Sequence, residues 1–334
     1  MLSVICPIYN EEKYIAKCLD SIIEQDYPKD EMELLLVDGM STDRTRDVIA
    51  GYQKKYPWIK VLDNPKRIAP CAMNVGIKAS FGEIIIRLDA HVLYPSNYFS
   101  VLVNKLQELP EAENVGAICN TLPVNETIEA HAIAAVLSSS FGVGNSYFRV
   151  GASEVMEVDT VPFGCFRRSI FDKVGLYDEE LVRNQDDELN ARIVNSGGKI
   201  YLIPNLECEY FARDTAKKVY KMFYQYGMFK PLVNKKLGSP ATARQFFPLC
   251  FVLGLMLGPI ICVFVPMLWA VYCTMIFLWL FLATYFSCKD SKQLKRILVQ
   301  NWIYFVVHFG YGWGYIVGIF KILFNRSFVA QINR

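Results

Sequence analysis

The sequence has almost no net charge, because 35 lysines and arginines stand against 33 aspartates and glutamates, which gives +2. Outside the stretch before the apolar C-terminal part, no basic segment alternates with aromatic residues, so nucleic acid is not an expected partner. The ten cysteines form no Cys-x-x-Cys pair and no cluster with histidine, which argues against a zinc site or a disulfide framework. The N-terminus has no basic segment followed by a cleavage site, so no secretory signal is expected.

Two glycine motifs that hold phosphates are also missing. No Gly-x-Gly-x-x-Gly follows the first predicted strand, and no Gly-x-x-x-x-Gly-Lys occurs in the chain. If the protein binds a nucleotide, we therefore expect a metal ion rather than a glycine loop to hold its phosphates.

Charged side chains are absent from two long C-terminal segments, residues 245–288 and 297–320. One helical crossing of a membrane needs about 20 apolar residues. The first segment therefore predicts a hairpin of two transmembrane helices, about 246–287, joined near Pro266. The second predicts a third membrane segment, about 299–322.

Basic residues set the expected orientation of these segments. Residues 289–296, between the two apolar runs, are strongly basic and are therefore expected on the cytoplasmic side. We favour a full crossing for the third segment, although Lys321, Arg326 and Arg334 would then lie outside. A bent or re-entrant segment stays open, because three glycines lie between residues 310 and 314.

The segment 215–245, just before the hairpin, interleaves lysines, among them Lys217, Lys218 and Lys221, with aromatic residues. A basic, aromatic-rich amphipathic segment next to a membrane span is typical of a helix in the headgroup layer. The alternative is a surface helix that packs its aromatic side chains inward.

In the first 90 residues, predicted strands alternate with predicted helices, which indicates an α/β fold with a parallel, doubly wound sheet. Such sheets bind ligands beyond the carboxyl ends of their strands. The polar residues that follow the predicted strands are Tyr9, Asn10, Glu11, Asp38, Arg67, Asp89 and His91. Together they offer carboxylates for a base or ribose, an arginine for phosphate and ligands for a cation.

Asp89 and His91 follow the buried strand that Ile84–Leu88 predicts. A carboxylate and an imidazole two residues apart on a stiff support form half of a divalent-cation site. The alternative is that Asp89 caps the next turn and His91 is an ordinary loop residue.

Asp186 and Asp187 fall in the first turn of a predicted helix. They are candidates for acid–base chemistry. The alternative is that they only satisfy the helix dipole, with Glu188 and Arg192 forming an ordinary ion pair one turn apart.

Five motifs, in order and spacing over about residues 1–210, resemble the family 2 glycosyltransferases. They are Pro7–Glu12, Val37–Thr45, the helix with Asn74, Asp89-x-His91 as a variant of Asp-x-Asp, and Asp186–Leu189 with Arg192. Within that family the chain most resembles the bacterial succinoglycan-biosynthesis glucosyltransferase type.

The resemblance implies a GT-A (Rossmann-like) fold, a nucleoside-diphosphate-sugar donor, a divalent cation and inversion at the anomeric carbon. Together with the basic and apolar segments described above, it divides the chain into a GT-A domain, 1–214, an amphipathic membrane-interface segment, 215–245, and a transmembrane region, 246–324.

The resemblance also implies roles, which are carried over by position. The donor nucleotide would contact Pro7, Tyr9, Glu11, Asp38, Arg67, Asn74 and Asp89. Asp89 and His91 would bind the metal, and Asp186, with Asp187 beside it, would be the catalytic base. The basic candidates for the phosphates of a lipid-linked acceptor are Arg167, Arg168, Lys217, Lys218 and Lys221.

The chain departs from the family pattern at several positions. His91 replaces the second acidic residue of Asp-x-Asp, which favours Mn²⁺ over Mg²⁺. Gly39 replaces a frequent aspartate, and Gln185 stands where glutamate is commoner. No Gln-x-x-Arg-Trp motif follows Asp187, so a processive synthase is not expected.

We therefore predict inverting, metal-dependent transfer of a sugar, with a UDP-sugar favoured as donor, to a hydroxyl of a polyprenyl-linked saccharide. The expected setting is bacterial polysaccharide or glycan biosynthesis, in a multi-pass protein of the inner (cytoplasmic) membrane whose catalytic domain is cytoplasmic. A polyprenyl-phosphate sugar synthase and a non-catalytic donor-binding or scaffold subunit of an export complex remain as alternatives. The sugar, its linkage and the oligomeric state do not follow from the sequence.

Overall fold

The structure, a computed structural model, describes residues 1–329. Within that range the chain forms nine strands and thirteen α-helices. The strands are β1 (Leu2–Ile8), β2 (Met32–Asp38), β3 (Ile59–Asp63), β4 (Ile84–Arg87), β5 (Val92–Leu93), β6 (Ala112–Leu122), β7 (Met156–Glu157), β8 (Cys165–Arg167) and β9 (Lys199–Phe211). The helices are α1 (Ile15–Ile23), α2 (Thr45–Gln53), α3 (Ala69–Ala79), α4 (Tyr98–Glu108), α5 (Ile128–Leu137), α6 (Ser140–Val143), α7 (Tyr147–Val150), α8 (Ser169–Val174), α9 (Gln185–Asn195), α10 (Ala216–Leu237), α11 (Phe246–Phe264), α12 (Leu268–Asp290) and α13 (Leu294–Leu323).

The strands form one sheet in the order β3-β2-β1-β4-β8-β6-β9-β5, with β7 paired to β9. The first four strands in this order are parallel, which requires the crossover helices α1, α2 and α3 between them. From β4 to β8 and from β8 to β6 the pairing is antiparallel. The predicted α/β class is confirmed, and the carboxyl ends of β1 to β4 lie at one edge of the sheet.

The chain divides into two compact units. One contains residues 1–120 and 151–210, and the other contains residues 121–150 and, within the described part of the chain, residues 211–329. The sequence reading did not foresee that residues 121–150 belong with the C-terminal helices.

Helix α5 explains why residues 121–150 belong to the second unit. Its sequence, IEAHAIAAVL, is apolar around most of its circumference, as in a helix that is covered on several sides. Ile133 and Leu137 of α5 join a buried cluster with Val219 of α10 and with Ile303 and Val307 of α13. Burial of this helix therefore ties the segment to the C-terminal part of the chain.

Three C-terminal helices are long and apolar enough to cross a membrane. They comprise the segment Ala243–Phe264, which includes α11, and the helices α12 and α13, with mean hydropathies of 2.4, 1.8 and 1.4 over their most apolar windows. The break between α11 and α12 falls at residues 265–267, around Pro266.

Helix α13 is continuous through Gly310, Gly312 and Gly314, so these glycines do not interrupt it. Instead they allow close approach of neighbouring helices. A Cβ atom built on Gly314 would lie 2.1 Å from the carbonyl oxygen of Tyr224 and 2.9 Å from the backbone nitrogen of Met228, both in α10.

Replacing Gly314 with Ala is therefore expected to destabilise the second unit, because overpacking of a close contact costs about 1–3 kcal/mol. The measurement is the thermal unfolding midpoint of the full-length protein in detergent. Gly254→Ala in α11 is the matched control, since nothing lies within 4 Å of a Cβ atom there. Equal midpoints for the two variants would contradict the close α10–α13 contact.

Candidate active site

The loops that follow β1 and β2 are joined by hydrogen bonds. The backbone N–H of Asn10 donates to Ser41 Oγ over 2.9 Å, and that of Thr42 donates to Asn10 Oδ1 over 2.8 Å. The backbone N–H of Glu11 donates to Thr45 Oγ1 over 2.7 Å. These bonds hold the two strand ends together and fix the position of Glu11.

Asp38, the last residue of β2, is fully buried. Its carboxylate accepts hydrogen bonds from the backbone N–H and the hydroxyl of Ser41, at 3.0 and 2.5 Å, and from Arg46 Nε at 2.5 Å. A short acidic side chain that binds the backbone just downstream stabilises a tight turn. Asp38 therefore organises the loop between β2 and α2 from the position where the resemblance implies a contact with the nucleotide.

Glu11, Asp89 and His91 form a compact cluster, in which one ligand atom of each lies within 4.8 Å of the other two. His91 Nδ1 is 2.7 Å from Asp89 Oδ1 and 3.6 Å from Glu11 Oε1. Two carboxylates and one imidazole are donors that a divalent cation accepts, so the residues fit the implied metal. Glu11, which the sequence reading placed only in the nucleotide pocket, belongs to this cluster.

The negative charges of this cluster change the pKa of His91. Burial opposes protonation of its ring, but the negative charge of Asp89 and its hydrogen bond, with a further contribution from Glu11, outweigh this and raise the pKa of His91 to about 9. The same negative potential attracts a divalent cation.

Asp186 in the first turn of α9 forms an ion pair with Arg87, the last residue of β4. The Arg87 side chain is only 8% exposed, and that of Asp186 is 28% exposed. Arg87 lies two residues before Asp89, so this pair brings the start of α9 to the end of β4. Asp186 Oδ2 is 3.4 Å from the side-chain amide of Gln185.

Sequence reasoning missed Arg87. The available signal was a single charged residue between Ile86 and Leu88 in an otherwise apolar strand. A charged side chain in such a place is rarely buried without a partner.

These contacts form a continuous series across the edge of the sheet. Asp38 binds Ser41, which binds Asn10, and the next residue, Glu11, faces His91 and Asp89. Two residues before Asp89, Arg87 binds Asp186. The loops after three parallel strands and the first turn of α9 therefore meet in one region.

Backbone strain is concentrated in the same loops. Of the six non-glycine residues with positive φ angles in the described part of the chain, four lie in these loops: Asn10 (54°), Met40 (61°), Arg67 (60°) and Asn184 (61°). The first three follow β1, β2 and β3, and the fourth directly precedes α9. Such conformations cost roughly 1–3 kcal/mol each and are typical of functional sites.

The structure gives a reason for glycine at position 39. A Cβ atom there would lie 3.1 Å from the ring of Tyr9 and 3.4 Å from the Cα atom of Arg67. The missing side chain therefore lets the loops after β1, β2 and β3 approach closely. Pro7, two residues before Tyr9, lies within β1, where it pairs with Val37 of β2.

Asn74 is buried in α3, where its side chain binds the loop before α9. Its amide donates to the carbonyl oxygen of Tyr177 (2.9 Å) and to Glu179 (3.0 Å), and its oxygen accepts from the N–H of Tyr177 (3.0 Å). Hydrogen bonds from Lys66 and Asn74 hold the pKa of Glu179 at about 2. In this structure Asn74 therefore positions the 177–179 loop.

Asn74→Ala is expected to destabilise the first unit by about 1–3 kcal/mol, because it leaves buried backbone groups of Tyr177 without their partner. A thermal unfolding scan of the full-length protein measures the effect, with the exposed Lys78→Ala on the same helix as control. An unchanged midpoint would mean that the Asn74 contacts contribute little to stability.

The basic acceptor candidates fall into two groups. Arg167 donates to the carbonyl oxygens of Ala112, Leu106 and Leu109, and Arg168 donates to the carbonyl oxygens of Gly82 and Ile77 and to the hydroxyl of Ser80. Because these contacts occupy both guanidinium groups, we do not include them in the proposed acceptor site. Lys217, Lys218 and Lys221 lie in the first turns of α10, with Lys218 Nζ 2.9 Å from Asp214.

The sequence model of Glycosyl transferase family 2 matches residues 3–175, which is just over half of the chain. The chain belongs to glycosyltransferase family 2. This confirms the resemblance predicted from the five sequence motifs.

Two curated relatives of this family 2 glycosyltransferase match most of its length. A Methanococcus voltae protein, named dolichyl N-acetyl-alpha-D-glucosaminyl phosphate 3-beta-D-2,3-diacetamido-2,3-dideoxy-beta-D-glucuronosyltransferase, is 36% identical over 245 residues, 70% of this chain and 74% of the relative. The succinoglycan biosynthesis protein ExoA of Rhizobium meliloti is 28% identical over 249 residues, 74% of each chain.

Two solved structures share the fold. The mannosyltransferase PcManGT from Pyrobaculum calidifontis, in complex with GDP-Man and Mn²⁺, aligns with a TM-score of 0.58 at 19% identity, over 97% of this chain and 87% of that one. Residues 1–349 of S. aureus TarS, in complex with UDP-GlcNAc, align with a TM-score of 0.56 at 16% identity, over 97% and 92% of the two chains. The predicted GT-A-like fold is thereby confirmed.

Proposed function

We propose that this family 2 glycosyltransferase moves a sugar from a nucleoside diphosphate, with a UDP-sugar favoured, to a hydroxyl group of a lipid-linked saccharide, with inversion and with the help of a divalent cation. The observation that carries the proposal is the continuous series of contacts from Asp38 through the cluster of Glu11, Asp89 and His91 to Asp186. These contacts bring three groups to one edge of the sheet: the carboxylate proposed to meet the nucleotide, the candidate cation site and the candidate base.

In the proposed reaction the acceptor oxygen attacks the anomeric carbon as the bond from that carbon to the diphosphate oxygen breaks. The nucleoside diphosphate leaves with the bonding electrons, and the hydroxyl proton passes to Asp186. A positioned base contributes about 10²–10⁴-fold to such a rate. The ion pair with Arg87 fixes Oδ1 of Asp186, and Oδ2, which accepts only a long hydrogen bond of 3.4 Å from Gln185, receives the proton.

Glu11, Asp89 and His91 would hold the cation. When bound, a divalent cation neutralises charge on the leaving diphosphate. His91 in place of a carboxylate favours Mn²⁺ over Mg²⁺ as that cation. Arg67, exposed on the loop after β3, supplies a second positive charge for the phosphates.

The proposed acceptor follows from the membrane helices and from one relative. A protein with helices long enough to cross a membrane meets lipid-linked substrates without their leaving the bilayer, and the name of the Methanococcus voltae relative specifies a dolichyl-linked sugar. The basic residues at 289–296 support a cytoplasmic position for the catalytic unit in a multi-pass protein.

The test is a transfer assay with the full-length protein in membranes. UDP-, GDP- and dTDP-sugars are supplied in turn with Mn²⁺ and either a lipid-linked saccharide extract or a polyprenyl phosphate. Formation of a longer lipid-linked saccharide from one donor is the expected result. A product formed only with polyprenyl phosphate would replace the proposal with a sugar-phosphate lipid synthase.

A complete lack of donor turnover, including slow hydrolysis to the free sugar, would instead favour a non-catalytic donor-binding or scaffold subunit. The same membranes should then still bind labelled nucleotide. This second measurement separates an inactive site from a protein that has not folded.

A further inference from the structure

The three membrane-length helices differ in how far the protein itself covers them. Within their most apolar windows, 11% of the residues in the helical segment containing α11 and 6% of those in α12 are buried, against 56% in α13. Hairpin side chains such as Phe264 and Met267 are 80% and 83% exposed, as expected of residues that face lipid. Most of α13 packs against other parts of the second unit instead.

Helix α10 runs beside α13 in the same direction. Cβ atoms built on Gly310 and Gly318 would lie 3.2 Å from the carbonyl oxygen of Tyr220 and 2.3 Å from that of Met228, respectively. Moving eight residues along α13 therefore moves eight residues along α10 in the same direction, so the two helices are parallel. The middle of α13, which runs from Leu294 to Leu323, lies level with the first turns of α10.

The first turns of α10 are highly charged. Lys217, Lys218 and Lys221 lie within one turn of Tyr220, and Lys218 Nζ is 2.9 Å from Asp214. The first backbone N–H of the helix, on Ala216, donates to Glu129 over 2.7 Å. If α13 crossed the bilayer, its middle would lie near the midplane and would carry this cluster of charges there, where charged side chains are strongly disfavoured.

The face of α13 that is left partly open also suits the membrane surface. Trp302, Phe305, Phe309 and Trp313 follow one another at helical spacing, and consecutive rings stack at centroid distances of 5.6, 5.4 and 6.5 Å. The two tryptophans are ~16 Å apart along the axis of an ideal helix. Tryptophan is enriched at the membrane–water interface and not in the middle of the bilayer. A stripe with tryptophan at both position 302 and position 313 therefore suits a helix that lies in the plane of the interface.

We propose that α13 is not a third crossing but lies with α10 at the cytoplasmic lipid surface, with its aromatic stripe in the acyl boundary and the neighbouring lysines at anionic headgroups. Only the α11–α12 hairpin then crosses the bilayer. Phe305 of the stripe also packs against Phe251 of α11 and Trp279 of α12, and the basic residues of segment 289–296 complement the headgroup charge. Lys321 and Arg326 remain on the cytoplasmic side, in agreement with the usual charge bias.

The first test maps the sides of the membrane in the full-length protein. Single cysteines are introduced as Met267→Cys at the hairpin turn, Gln293→Cys before α13 and Ser327→Cys after it, all exposed positions and all changes that leave the charge unchanged. Labelling by a membrane-impermeant maleimide in intact cells and in inverted vesicles is compared with the parent protein. Ser327→Cys is expected to label from the same side as Gln293→Cys; labelling from the side of Met267→Cys would overturn the proposal.

The second test measures depth. Spin labels at Trp302→Cys, Phe309→Cys and Trp313→Cys, in vesicles that contain anionic lipid, are expected to report similar shallow depths, about 5–10 Å below the headgroups. A crossing helix would spread the same positions over ~16 Å of depth, and that spread would overturn the proposal. Neither test requires a sugar donor, so either outcome is independent of the proposed catalytic function.

Discussion

Replacing Asp186 with Asn is expected to lower the rate of sugar transfer by about 10²–10⁴-fold, the usual contribution of a positioned general base. Asparagine keeps the size of the side chain and an oxygen that accepts from Arg87, so the start of α9 should stay beside the end of β4. What it loses is the ability to take up the proton of the acceptor hydroxyl. The measurement is single-turnover transfer with saturating donor and acceptor.

Donor affinity separates this chemical effect from a binding defect. Asp186 contacts Arg87 and Gln185, whereas the proposed nucleotide residues belong to β1, β2, α3 and the loops after β1 and β3, except Asp89, which follows β4. Binding of labelled nucleotide should therefore change little. Loss of binding together with loss of turnover would mean that the Arg87 ion pair maintains the site rather than orienting a base.

Two further variants locate the base. Asp187→Asn removes the neighbouring carboxylate and leaves the Arg87 pair intact, so it should retain much more transfer than Asp186→Asn. Asp172→Asn, at an exposed position in α8, controls for the loss of one negative charge. If Asp186→Asn retained full turnover to a hydroxyl acceptor, Asp186 could not be the base, and Asp187 would be the next candidate.

The sequence was sufficient to predict the parallel half of the sheet. Its strands are short apolar runs, of which β2 is buried at every residue, and the helices between them have regular apolar spacing. The carboxyl ends of parallel strands share an edge by geometry, so the strand-end residues could be placed together without coordinates. The antiparallel half was harder to predict, because its strands are too short to give a clear sequence pattern: β8 has three residues, and β5 and β7 have two each.

Distances between loops could not be read from the sequence. Glu11 and His91 are separated by 80 positions and Arg87 and Asp186 by 99, so nothing local indicated that Glu11 joins the candidate metal site or that Arg87 pairs with Asp186. The partner of Asn74 also lies far away in the sequence, because its side chain donates to the backbone carbonyl oxygen of Tyr177. The contact with the donor that the family motif implies for Asn74 stays a prediction.

The second large effect is expected at the candidate metal site formed by Glu11, Asp89 and His91. Glu11→Gln should weaken Mn²⁺ binding and Mn²⁺-dependent transfer by at least about 10–100-fold, since even partners that only orient a metal ligand contribute that much. Glutamine keeps the shape of the side chain but removes one of the two carboxylates that lie around His91. Titration of the full-length protein with Mn²⁺ in the presence of UDP, followed by the Mn²⁺ spin-resonance signal, measures the affinity directly.

Glu12→Gln is the matched control, because it is the same change one residue further along the chain. Glu12 is exposed, and its carboxylate accepts a hydrogen bond from the backbone N–H of Arg44 over 3.2 Å, away from the cluster. If both variants bound Mn²⁺ like the parent protein, Glu11 would not be a ligand and its burial beside His91 would need another explanation.

His91→Asp tests the choice of metal at the same site. It restores the family's acidic pair with Asp89 and replaces an imidazole, which suits Mn²⁺, with an oxygen donor, which suits Mg²⁺. Transfer with Mg²⁺ relative to Mn²⁺ should therefore rise in this variant, whatever happens to the absolute rate. An unchanged ratio would mean that the position-91 side chain does not bind the cation, and the site would then depend on Glu11 and Asp89 alone.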